Sequence, residues 1–286
     1  MMKKYTLFVL VILILSSCST APIAKMSPLK NDGDNLFRLG RTLLMQGREN
    51  EAQSSFELAK GYYSRIDDVE GLVNVELATL SILARQNSGA NLADRVANLR
   101  EYIQLFQPEL EERLMLGEVE IAFLHNNYTK VVNLTSQIKS SDKQINVQLN
   151  AYRLQALEKQ GDVANIEANI LKNYLSAIER SKKRVATEAE LYSFIAYTLG
   201  HYYYNLDEYQ NAEKYYLKSL KADKQIDNVT GICKDLYHLG LVKLQQEKKT
   251  EAKHYLLRAK EVAELTKDDK QVERVDKKLK EIRDLK

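Results

Sequence analysis

The sequence predicts an all-α chain, a stack of about six helical hairpins closed by a C-terminal capping helix. Three observations carry this. Leu, Ala, Glu, Lys and Gln dominate the 286 residues, while alternating apolar patterns and Gly/Asn hairpin turns are scarce, with 11 Gly and 3 Pro in all. Small and apolar marks recur at constant spacing: Leu199-Gly200 with Ala212, Tyr216 and Ser219; Leu239-Gly240 with Ala252, Leu256 and Ala259; Leu39-Gly40 with Ala52, Phe56 and Ala59. The helix start Asp68-Val69-Glu70-Gly71 reappears 160 residues later as Asn228-Val229-Thr230-Gly231, which is four forty-residue periods. A fixed period of this kind marks a repeat array whose interior is a long seam.

In chain order, Met1-Met2-Lys3-Lys4 is a short basic start and Tyr5 to Leu15 is an apolar run. That run is too short to span a bilayer, which takes about 20 helical residues, so residues 1–17 are expected to be a secretory signal. It ends Leu15-Ser16-Ser17-Cys18, which resembles the bacterial lipoprotein box. The resemblance implies lipid on the Cys18 sulfur, cleavage before Cys18 and a permanent membrane anchor. Two buried acyl chains already hold a protein stably. It further implies a place in the bacterial envelope. By that resemblance, Ser19 rather than Asp after the acylated cysteine would favour, under the sorting of enteric-type bacteria, the outer membrane facing the periplasm. Residues 18–34 hold two of the three prolines with Ser, Thr, Asn and Gly, and read as a flexible tether. An acylated Cys18 leaves Cys233 with no partner for an intramolecular disulfide. Cys233 is expected as a small buried hydrophobe at a helix start.

Residues 35–266 form the array. Unit one runs from about Gly33 to Ile66 with Gly47 in its turn. Unit two has a first helix over Leu72 to Arg85, a turn over 86–90, and Asn91 capping its second helix. Pro108 opens unit three, Glu109 to Ile138, which turns at Asn126-Asn127. Unit four, about Asn146 to Ile178, turns at Gln160-Gly161-Asp162. Units three and four keep the helical spacing but lack the Leu-Gly and alanine marks. Unit five turns at Asn205-Leu206-Asp207-Glu208, and unit six repeats its marks. In residues 267–286, Val272, Val275, Leu279 and Ile282 fall on one stripe with charges elsewhere, the pattern of a solenoid cap.

The Leu-Gly, aromatic and alanine marks of units one, five and six resemble the tetratricopeptide repeat. The resemblance implies a right-handed α-solenoid, with first-helix side chains lining its inner surface. Carried onto this chain, the inner positions are Phe194, Tyr197, His201, Tyr204 and Asn205, then Lys234, Tyr237, Leu241, Leu244 and Gln245. Tyr203 and Tyr216 match the family's structural aromatics and are expected between helices. The candidate partner-binding residues are Phe194, Tyr197, His201, Tyr204 and Tyr237, drawn from a chain with 17 Tyr, 6 Phe and no Trp. Tyrosine offers a rigid face and a hydroxyl at low entropic cost, which suits a peptide or a partner helix. The same residues could instead pack between helices.

Net charge is +3, and falls to +1 without residues 1–17, so nucleic acid has no concentrated basic face to meet. No phosphate loop, zinc motif or nucleophile elbow is present, and His125, His201, His238 and His254 lie far apart in sequence. The expectation is a non-enzymatic envelope scaffold or adaptor without cofactor or metal, binding a protein or peptide on its concave face. The alternative is a peptide or small-solute receptor serving a transporter.

Overall fold

In a computed structural model, residues 27–86, 91–162, 164–180 and 186–284 are described. The expected signal segment, Cys18, most of the expected tether and residues 87–90 of the expected turn lie outside them. The described residues form thirteen α-helices and no strand. Unit one is α1 (Pro28–Met45) and α2 (Glu49–Arg65), and unit two is α3 (Val69–Arg85) and α4 (Leu92–Phe106). A 3₁₀ turn (Pro108–Leu110) leads into unit three, α5 (Glu111–Leu124) and α6 (Tyr128–Gln137). Unit four is α7 (Lys143–Gln160) and α8 (Asn165–Arg180), and unit five is α9 (Ala186–Asn205) and α10 (Tyr209–Gln225). Unit six is α11 (Val229–Gln245) and α12 (Lys249–Leu265), and α13 (Asp269–Asp284) ends the stack. The chain is an all-α helical repeat solenoid.

One turn geometry generates the stack. Gly47, Asp67, Asn126, Asp207, Asp227, Glu247 and Lys267 each hold positive φ just after a helix. The next N–H then reaches back five residues, as in Arg48 N to Leu43 O (2.8 Å), Glu208 N to Tyr203 O (2.9 Å) and Asp268 N to Ala263 O (2.9 Å). This closes the helix end by satisfying an orphan carbonyl. At Asp68, Asn127, Asn228 and Asp268 the same residue caps the next helix, its side chain accepting from the N–H three residues on at 3.1 Å. Each of these connections is therefore short and fixed, which holds the helices on either side of it antiparallel.

Hairpins close tightly where the Leu-Gly marks stand. A Cβ at Gly200 would lie 2.8 Å from the Tyr216 ring, and one at Gly40 would lie 2.5 Å from Phe56. Both rings are completely buried. Tyr203 is also buried, as expected, and stacks on Tyr215 at 5.4 Å between ring centroids. At the end of the stack Val275 and Leu279 of α13 are buried on unit six, with Val272 and Ile282 packed beside them.

Two expectations are corrected. The array starts at Pro28, so residues 28–34 belong to α1 and not to a tether. Proline is tolerated in a first helical turn, Gly33 is buried against Tyr63, Asp34 accepts from the Tyr63 hydroxyl (2.8 Å), and Lys30 pairs with Asp68. Asn91 stands at the start of α4 but makes no side-chain cap bond. Its backbone is left-handed, φ 37, whereas a capping side chain needs the extended conformation to reach the first-turn amides.

Candidate partner-binding surface

First helices of successive units meet along the inner wall through side chains at equivalent positions. Ser81 donates to Glu120 (2.7 Å), Gln155 to Thr198 (2.9 Å), Asn205 to Glu158 (3.1 Å), and Gln245 to the Tyr204 hydroxyl (3.4 Å). Tyr152 packs on Phe194 with centroids 5.2 Å apart. This ladder ties α3 to α5, α7 to α9, and α9 to α11, and fixes which side chains face the concavity.

Phe194, Tyr197, His201 and Tyr204 share that wall, and each is partly exposed. Their undersides are anchored. Tyr197 meets Tyr216 and His238 edge-on at 5.7 and 5.4 Å, and His201 lies 5.4 Å from His238. Tyr204 is edge-on to Tyr209 at 5.8 Å. The row is thus partly exposed on one side and packed into the core on the other. His238 is buried, and its Nδ1 lies 2.8 Å from the Lys234 carbonyl, which only accepts, so that nitrogen carries the proton. Burial holds both imidazoles neutral, His201 down to about 4 and His238 to about 3, with positive Lys159 and Arg274 adding to the first and His201 itself to the second.

Tyr237 does not join the row. It is 3% exposed, and Arg274 of α13 lies over its ring, 4.4 Å from the centroid. The reason is its place in the stack. Tyr237 holds the same register slot as Tyr197, but in the last unit that slot is covered by the capping helix. Cys233 is buried as expected, its Sγ 3.3 Å from the Ala259 carbonyl, and burial pushes the thiol up to about 11.

Three features escape sequence reasoning. One is the meeting of His201 with His238 across two units. The second is a buried carboxyl pair beneath the wall: Asp223 and Asp235 are 1% and 0% exposed. Asp223 accepts from Ser193 and from Asn228 (2.9 Å), while the ionised carboxylate of Asp235 would have no hydrogen-bond partner for either oxygen. Burial, then the neighbouring Asp223, pushes the Asp235 carboxyl well above the usual range, so it keeps its proton and shares it with Asp223. A signal for it exists, because Asp235 lies on the helical face of Leu239 and Val242, where an acid is out of place. The third is an ion pair between Arg41 of α1 and Glu190 of α9.

Among the described residues no group of three or more His, Cys, Asp or Glu is placed to hold a metal ion, and no helix is long and apolar enough to cross a membrane. The tetratricopeptide-repeat family model matches residues 195–226, the span from within α9 to the end of α10. No curated protein matches the chain. Residues 195–226 of unit five are thus similar to a tetratricopeptide repeat. Repeats of this kind generally mediate protein–protein interaction and scaffolding, and the helical repeat fold is typically not an enzyme's.

Proposed function

We propose that this chain is a lipid-anchored scaffold or adaptor of the bacterial envelope that binds a protein or peptide partner on the concave face of its superhelix, without catalysis. The observation that carries the binding face is the partly exposed row Phe194, Tyr197, His201 and Tyr204, held rigid from beneath by Tyr216 and His238. Rigid aromatic surface gains contact area with little entropy lost on binding. The family match to this same unit supports it. The anchor rests on Leu15-Ser16-Ser17-Cys18 at the end of a short apolar run, and Ser19 supports the outer membrane, facing the periplasm.

The experiment pairs two readouts. Phe194→Ala and Tyr204→Ala proteins, checked for unchanged helicity, are used to capture partners from solubilised membranes beside the wild type. Loss of a stoichiometric partner in both supports the reading, whereas unchanged capture by both folded variants overturns it. Metabolic labelling with a fatty-acid analogue in wild type and Cys18→Ala tests the anchor, and equal labelling would refute it. A receptor for a peptide or small solute is the second reading, favoured by the approach of unit one to units five and six. Native mass spectrometry showing a retained small ligand in place of a protein partner would select it.

A further inference from the structure

The six units carry the chain round until its first unit meets its fifth and sixth. Arg41 on α1 pairs with Glu190 on α9, 149 positions away in sequence. A Cβ at Gly47 would lie 3.7 Å from the Thr230 hydroxyl at the start of α11, and α1 and α11 are in contact. The concave face is thereby enclosed. A folded domain has no open cradle to lie in, but an extended chain can run along the inner wall. The Arg41–Glu190 pair is itself half-exposed and correspondingly weak.

The charges on the enclosed wall are unbalanced. Arg41 is matched by Glu190, and Arg85 by Glu120 at 3.5 Å. Lys234 lies one helical turn beyond Thr230 on the same face of α11 and is exposed to solvent. Among the described residues it has no ion-pair partner, and neither does Lys159, nor Arg274 over its tyrosine ring. Although its side chain reaches solvent, the helices crowded around it, then the charge of Arg85, disfavour the protonated form of Lys234, while Asp223, Asp268 and Asp235 favour it; an incoming carboxylate would add to the second group. Glu158, next to Lys159 on this wall, is lifted by burial to about 7 and compensates only in part.

We propose that this enclosed wall receives an extended peptide segment rich in aspartate and glutamate, whose carboxylates meet Lys234, Lys159 and Arg274 while its apolar parts lie on Phe194 and Tyr204. This rests on the concave-face reading and adds the shape and charge of the occupant. Charge complementarity of this kind selects partners and speeds encounter more than it adds affinity, so salt should weaken capture.

The test is fluorescence anisotropy on the full chain in nonionic detergent, with labelled ten-residue peptides alternating Glu and Ala, or Gln and Ala. The Glu peptide is expected to bind at least tenfold tighter at low salt. Lys234→Glu should abolish that preference and Lys234→Arg should keep it, with helicity unchanged in both. Equal affinity for the two peptides, no binding of either, or indifference to Lys234→Glu overturns the proposal, as does tighter binding of a single-stranded oligonucleotide of similar length. The two readings fail separately. If the Gln peptide binds as well as the Glu peptide and Phe194→Ala removes both, the acidic-segment proposal falls and the concave face stands. If Phe194→Ala leaves all binding unchanged, the concave face falls too.

Discussion

Replacing Asp235 by Asn should make the protein more stable at neutral pH, although it removes a wholly buried side chain's native chemistry. Asp235 sits without exposure beside Asp223 and has no hydrogen bond for either oxygen in its ionised form. Its folded carboxyl is raised, by burial first and by Asp223 second. In the unfolded chain it ionises near the usual value of about 3.9. The folded state therefore binds a proton that the unfolded state has released, and stability must fall as pH rises from about 4 towards the folded value. The loss is about 1.4 kcal/mol for each pH unit of that window. Asn cannot ionise, and its amide can donate to Asp223 as the protonated acid does. The difference between variant and wild type should thus be small near pH 4 and grow by up to about 1.4 kcal/mol per unit above it. Urea denaturation followed by helical circular dichroism, at half-unit steps from pH 4 to 8, measures this difference directly. Hydrogen exchange at α10 and α11 localises it, since a repeat array opens unit by unit. A variant less stable by the same amount at every pH would refute the shared proton and make Asp235 an ordinary polar contact.

The histidine pair should act with the opposite sign. His201 titrates at about 4 when folded against about 6.5 unfolded, so the stability it contributes above pH 6.5 is lost as pH falls towards 4, of order 3 kcal/mol. A His201→Gln, His238→Gln double variant should flatten that acid limb in the same titration, and an unchanged limb would place the acid sensitivity elsewhere. The Tyr216 hydroxyl is buried without a partner. Tyr216→Phe should therefore be neutral or stabilising by about 1 kcal/mol, while Tyr216→Ala should cost about 3–5 kcal/mol through cavity formation; a large loss with Phe would reveal a bond to the hydroxyl. Truncation after Lys267 would uncover Tyr237, Val275's partners and the apolar face of unit six. It should lower the melting temperature and favour aggregation, and a truncated chain that melts like the intact one would end the capping role of α13.

How far the sequence discloses such a molecule depends on the range of the interaction that decides each feature. Leu199-Gly200 and Tyr216 are legible because the steric demand behind them is local to one hairpin, a ring that needs a missing Cβ opposite it. The capping stripe Val275 and Leu279 is legible for the same reason, since one face of one helix shows it. Spacing misplaces Tyr237, because register within a unit carries no information about the helix that packs on the last one. Its slot equals that of Tyr197, yet Arg274 covers it. Asp235 can be found as an acid on an apolar face, but the partner that makes it chemically distinct comes from α10 and only packing supplies it. Arg41 and Glu190 lie beyond any pattern of spacing. Their meeting depends on the small rotation between neighbouring units summed over the four steps from unit one to unit five, and no single residue encodes that sum. The inner surface is where this matters most for function. Each unit places its own aromatic or basic side chain by local rules, but whether the surface is an open cradle or an enclosed passage is settled only when the first unit returns to the fifth and sixth. Partner choice would then be set by two separable inputs: side chains such as Phe194 and Lys234 choose the chemistry, and the helix lengths and turns that fix the rotation choose the shape.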